Sequence, residues 1–230
     1  MRVRYDFRLE DGRLIDHVVE TDRESLPPTN KAAADWAELK HCQCSNCPLK
    51  ASEYQYCPAA IDIQALVDTF RKEPAFQKVE VTVSTRERNY QKRTGLEEAL
   101  RSLMGLILAT SECPILSELR PMAMHHMPFA TNEEFILRSV SIYLVQQYFK
   151  MRDDREPPDW DLKGLVERNR RLQLVNQALW QRIHGACEGD SNLKALLSFF
   201  SLASSVTFSL ESQLQKLRQS FEAGEWNTPL

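Results

Sequence analysis

The run His41-Cys42-Gln43-Cys44-Ser45-Asn46-Cys47-Pro48, followed by Cys57-Pro58, places four of the six cysteines within sixteen residues. Cys44 and Cys47 have the C-x2-C spacing, in which a tight turn lets two thiolates converge on one metal while backbone amides stabilise the sulfur charge. Cys57 supplies a third thiolate. Cys42, His41 or a residue distant in sequence must supply the fourth, and Cys113 is the favoured distant candidate. It sits in the turn Ser111-Glu112-Cys113-Pro114 and shares the Cys-Pro dipeptide with Cys47 and Cys57. A proline after the ligand bends the chain away from the metal and removes an N–H that would need a partner. Four thiolates suit zinc, whose structural sites are closed and tetrahedral. Cys-Pro steps also occur in iron-sulfur ligand runs, which keeps a 4Fe-4S cluster as the alternative, although C-x2-C-x2-C is absent. Without a metal, the thiols are buried small hydrophobes or a reversible dithiol switch. Cys187, between two expected helices, reads as a bystander.

A second constellation follows Cys113. Pro121-Met122-Ala123-Met124-His125-His126-Met127-Pro128-Phe129 sets two histidines between prolines in a connection read as non-helical. His126 is a metal ligand, a general base or a histidine hydrogen-bonded in the core to fix an irregular loop. His125 points elsewhere, towards solvent. A metal-dependent enzyme using His126 would need an open coordination position and a base, and Glu133 and Glu134 lie close in sequence. The capping pattern Thr131-Asn132-Glu133-Glu134 accounts for Glu134 better. The chain contains no H-E-x-x-H, G-x-S-x-G, phosphate-loop or dinucleotide fingerprint, so the common hydrolase and nucleotide chemistries have no support.

Together, these segments resemble a bacterial family of unknown function whose members carry C-x2-C-P, a later Cys-Pro, a T-S-x-C-P turn (here Thr110 to Pro114) and a P-M-A-x-x-H-x-P-F stretch. The likeness covers most of the chain, including Tyr143 to Phe149 and Pro158-Asp159-Trp160. The resemblance implies that Cys44, Cys47, Cys57, Cys113 and His126 match a shared pattern, which favours Cys113 over Cys42 as fourth ligand. It implies no activity.

The remaining elements must position these side chains. The chain has 230 residues, 43% apolar and 27% charged, with a net charge of -3. That is the arithmetic of one ordinary globular domain, or two small ones, without a global field for nucleic acid or anionic membranes. Seven glycines and long helical periodicities argue against a sandwich, a barrel or a glycine-cradled nucleotide fold. Val3, Tyr5, Phe7 and Leu9 alternate with polar residues ahead of Asp11-Gly12, and Leu14, Ile15, Val18 and Val19 follow, which predicts a hairpin. Val79, Val81 and Val83 predict a third strand that continues towards Tyr90. Pro27-Pro28 opens a loop ahead of a short helix from Asn30 to Leu39, and Ala59 to Lys72 reads as a helix stopped before Pro74. Thr94-Gly95-Leu96-Glu97 reads as a capping box for a core helix to about Ser111, with one turn near Leu116 to Leu119 beyond it. Three more helices are expected, to about Lys150, from Leu162 to Ile183, and from Asn192 to Phe221.

The expected class is α+β, mostly helical, with a small antiparallel sheet of about three strands on a helical body. Residues 1–230 are read as one domain, comprising a sheet and cysteine portion (1–93), a helical portion (94–223) and a tail (224–230). Met1 to Arg8 lacks a signal-peptide core, and Ala195 to Leu210 is too short and hydroxyl-rich to span a bilayer. A cytoplasmic location follows, where clustered thiols hold metals more often than they form structural disulfides. Arg86 to Arg93 gathers four basic residues around Tyr90, but Glu87, Glu97 and Glu98 dilute the patch and argue against nucleic acid. The apolar stripe Leu210, Leu214, Leu217 and Phe221 packs within the chain or against a second copy or another protein.

Overall fold

A computed structural model describes residues 1–22, 33–154 and 156–222; the expected Pro27-Pro28 loop and the tail from 224 lie outside them. The alternating N-terminal residues form β1 (Arg2–Leu9) and β2 (Leu14–Glu20), followed by α1 (Pro58–Phe70), β3 (Lys78–Ser84), β4 (Asn89–Gly95) and α2 (Leu96–Ala109). A 3-10 turn (Leu116–Leu119) leads into α3 (Arg120–Met124), α4 (Asn132–Asp154), α5 (Lys163–His184), α6 (Ser191–Phe208) and α7 (Leu210–Glu222). The fold is α+β and mostly helical. Its contacts divide into two compact units, Met1–Phe129 with Arg171–Phe200, and Ala130–Arg170 with Ser201–Leu230.

In the first unit the sheet is antiparallel, in the order β2-β1-β3-β4. Period-two patterning sends Val3, Tyr5, Phe7 and Leu9 of β1 and Val79, Val81 and Val83 of β3 to one buried face. That face is met by Ile63, Leu66, Val67 and Phe70 of α1 and by α2, whose buried residues run all round its axis. The rings of Phe7 and Phe70 stand 5.3 Å apart. Gly12 supplies the positive φ of the β1–β2 turn, and Asp11 accepts the Arg13 N–H at 2.9 Å.

The fourth strand is an addition to the three expected. The third does not run on to Tyr90 because Thr85 turns it: its Oγ1 accepts the N–H groups of Glu87 (3.3 Å) and Arg88 (3.0 Å). Thr94 consequently belongs to β4 rather than to a capping box. Gly95 takes the N-cap position, and the first N–H groups of α2 donate to the carbonyls of Gln77 (2.8 Å) and Ala75 (3.1 Å). The helix expected from Asn30 is, within the described residues, a 3-10 turn at Asp35–Ala37. Pro121 to Met124 are helical, in α3, where proline is tolerated in the first turn, while His125, His126 and Met127 lie beyond it.

In the second unit the expected capping box is present: Glu134 N–H donates to Thr131 Oγ1 (3.2 Å) and Thr131 N–H to Glu134 Oε2 (2.8 Å). Ile136, Val140, Tyr143, Leu162, Leu165, Val206 and Leu210 form its core, with Leu214 and Leu217 packed against it and Phe221 exposed. Asp159 Oδ2 accepts both Tyr143 OH (2.7 Å) and Gly164 N–H (2.8 Å), which ties the proline-containing connection to α4 and to the first turn of α5. The single helix expected from Asn192 to Phe221 breaks at Ser209, whose carbonyl accepts the Gln213 N–H (2.9 Å). Serine competes with the helix ladder and favours the N-cap position. Among the described residues no helix is long and apolar enough to cross a membrane.

The loop after α5 closes the C-terminal end of α1. Gly189 N–H donates to Arg71 O (2.6 Å), Ser191 Oγ to Phe70 O (3.1 Å) and Asn192 Nδ2 to Val67 O (3.2 Å), which satisfies carbonyls that the helix end leaves open. A Cβ at Gly189 would meet Glu73 O at 2.5 Å and the Lys72 carbonyl carbon at 2.6 Å, whereas one at Gly185 meets nothing within 4 Å. Gly189→Ala is therefore expected to cost about 1–3 kcal/mol in denaturant unfolding. Gly185→Ala is expected to stay within about 0.5 kcal/mol of the parent; equal effects at both positions would refute the close-approach argument.

Candidate metal centre

The cysteine loop has a neck. Leu39 N–H donates to Gln55 O (2.8 Å), Cys57 N–H to Ala37 O (2.8 Å), and Glu38 pairs with Tyr56 in an isolated antiparallel bridge. Residues 40–55 form the excursion that this short ladder closes. Inside it, Cys47 N–H donates to Cys44 O (3.0 Å), which is the tight turn expected of C-x2-C. Asn46, at the tip of that turn, donates from Nδ2 to Arg171 O on α5 at 3.0 Å.

Cys57 is the N-cap of α1 and Pro58 opens its first turn. The backbone N–H groups of Ala60 and Ala59 face the Cys57 sulfur. Cys113 repeats this arrangement at the end of α2. Thr110 Oγ1 returns to Ile107 O (2.9 Å), which terminates the helix, and Ser111 Oγ accepts the Cys113 N–H (3.1 Å). Past Pro114, the N–H groups of Leu116 and Ile115 face the Cys113 sulfur. In both places a Cys-Pro step omits one donor and aims the next two at the thiol. Such donors favour the thiolate, the form that binds metal.

Cys44 senses the charge of the other three expected ligands, Cys57, Cys47 and Cys113. Desolvation pushes the Cys44 thiol up to about 12, and negative charge on Cys57, Cys47 and Cys113 adds to the shift while Arg182 opposes it. Cys57 is raised by burial, against the N–H groups at its sulfur and Arg182, with Cys47 adding to the rise. Cys113 is raised by burial too, with Cys57 and Cys47 as charged neighbours. All six cysteines are free thiols. As placed, no group of three or more His, Cys, Asp or Glu among the described residues stands ready to hold a metal ion. The thiols are neighbours on three chain segments, short of a closed cage.

Arg182 of α5 is a site residue that sequence reasoning missed. Its guanidinium donates to Trp36 O (3.0 Å), Glu38 O (2.5 Å) and Leu39 O (3.0 Å), all at the loop neck. Its place near the end of a helix that carries several other arginines gave no local signal. His41 is exposed, and Cys42 has a left-handed backbone with φ 47°. His126 Nε2 sits 2.6 Å from the hydroxyl of Tyr5, itself fully buried and 2.8 Å from Ser102 Oγ. That hydrogen bond matches the loop-fixing role among the three open to His126. Cys187 stands 3.9 Å from Asn192 Nδ2 in the loop that closes α1.

The raised Cys44 value fixes a pH dependence. A thiol raised in the folded state from near 9 to about 12 favours folding while protonated, so its contribution is complete below about pH 9 and lost as pH rises towards 12. The metal-free protein is expected to lose stability across that interval in denaturant titrations, and Cys44→Ser to flatten the loss. An unchanged slope in the variant would contradict the assignment.

A family model described as Domain of unknown function (DUF6901) matches residues 3–222. No curated protein and no solved structure matches the chain.

Proposed function

The chain belongs to this family of unknown function, and from that premise we propose that it is a metal-binding protein of the cytoplasm, with Cys44, Cys47, Cys57 and Cys113 holding one zinc ion. The supporting observation is the shared neighbourhood of these four thiols, drawn from the C-x2-C turn, the start of α1 and the end of α2. Four soft donors without a carboxylate among them suit zinc in a closed structural site, and also a 4Fe-4S cluster. Zinc is preferred because the C-x2-C turn and two separate Cys-Pro turns lack the ferredoxin run of thiols.

The role is structural. Thiolates assembled only in the folded chain make metal affinity a part of folding free energy, and the ion draws the loop tip, α1 and the end of α2 together. Metal loading then opposes the burial that keeps these thiols protonated, so acidification releases the ion.

The test is elemental analysis with an absorption spectrum on anaerobically purified protein. One zinc per chain is expected in the parent and in Cys42→Gly, where glycine suits the positive φ, and none in Cys47→Ser or Cys113→Ser. Zinc loss in those variants is expected to cost roughly 4 kcal/mol when free zinc is a thousandfold above its dissociation constant. Iron with sulfide would replace zinc by the redox or sensor reading. A parent protein without metal would overturn both.

A further inference from the structure

Arg182 is only 1% exposed, the largest fully buried side chain among the described residues. A guanidinium remains charged under all ordinary conditions, and removing it from water is unfavourable unless opposite charge lies close by. Its three carbonyl partners satisfy N–H groups but bring no net charge. Among the described residues no carboxylate lies within ion-pair distance of it, and its buried Nε has no hydrogen-bond partner. Cys44 and Cys57 both sense its charge. The carbonyls it holds, at Trp36, Glu38 and Leu39, belong to the neck from which the C-x2-C loop departs.

We propose that Arg182 is the positioning residue of the thiolate site through its charge: held at the neck by its carbonyl bonds, the buried guanidinium offsets the excess negative charge of four thiolates around a divalent ion. The inference rests on the metal reading above. Four thiolates outweigh one divalent ion, so the loaded site is an anion in a poorly solvated place, and a fixed cation lowers the cost of assembling it. The same anion is what the guanidinium lacks in the metal-free chain. Asn46 complements the arrangement from the other end of the loop, by its bond to the Arg171 carbonyl on the same helix.

Charge and clamp separate experimentally. Arg182→Lys keeps the cation and gives up the forked bonding, whereas Arg182→Gln keeps an amide donor and gives up the cation. Zinc affinity is measured by competition with a chromogenic chelator, beside the absorption spectrum of the cobalt-substituted proteins as a signature of the ligand set. Arg182→Gln is expected to bind one zinc with an unaltered cobalt spectrum but about 10- to 100-fold more weakly, the range found when an outer partner of a metal site is lost. Arg182→Lys is expected to stay within about threefold of the parent, since the charge beside the ligands is preserved. Parent-like affinity in Arg182→Gln would overturn the proposal. A folded Arg182→Lys that loses tenfold or more would also overturn it by assigning the effect to the clamp, and this arm decides the matter if Arg182→Gln fails to fold. A parent that takes up neither zinc nor cobalt would overturn the metal reading before any variant is compared.

Discussion

The burial of one guanidinium under the neck of the cysteine loop organises the first unit. A loop of this length has little apolar surface to bury, so its course is imposed by hydrogen bonds from elements that possess a core. Arg182 collects three neck carbonyls, Asn46 ties the loop tip to the Arg171 carbonyl, and Arg171 Nη2 reaches Glu118 at 2.8 Å in the turn that follows Cys113. Helix α5 is thus a common reference for the neck, the C-x2-C turn and the Cys113 turn.

The two Cys-Pro turns show how a dipeptide carries structural meaning. Each places the thiol where a helical element begins, at α1 for Cys57 and ahead of the 3-10 turn for Cys113, and each leaves two consecutive N–H groups without a helical carbonyl. A sulfur placed there completes the unsatisfied end of an element. This gives Thr110-Ser111-Glu112-Cys113-Pro114 a physical content: a threonine that ends α2 on its own carbonyls, a serine that accepts the cysteine N–H, and a proline that turns the chain.

Much of this was legible in the sequence, for reasons that differ by element. β1 is readable because Val3, Tyr5, Phe7 and Leu9 keep a strict period of two against one buried face, and α2 because Leu96, Leu100, Leu103, Met104, Ile107 and Leu108 recur at helical spacing. β4 was not, since its exposed edge carries Gln91, Lys92 and Arg93 and no apolar alternation; only the hydroxyl of Thr85 turning the chain revealed it. The capping box at Thr131 is present, while the same pattern at Thr94 is overridden by strand pairing, because the first amides of α2 find carbonyls in the loop between α1 and β3. Membership in a family of unknown function, which the resemblance implies, is shown by the family model that matches residues 3–222. Arg182 escaped notice because its partners are backbone carbonyls, which leave no mark on residue type.

The distance in sequence between Cys47 and Cys113 has a kinetic meaning. Between them lie α1, β3, β4 and α2, so bringing the Cys113 turn to the loop closes a far longer stretch of chain than the neck does. The neck is a local closure and forms at small entropic cost, whereas the meeting of the loop with the Cys113 turn is a contact of high sequence separation. Joining the Cys113 turn to the loop therefore carries the larger loop-closure cost of the two. During synthesis, a chain released only as far as β4 holds three of these thiols, and the fourth follows α2.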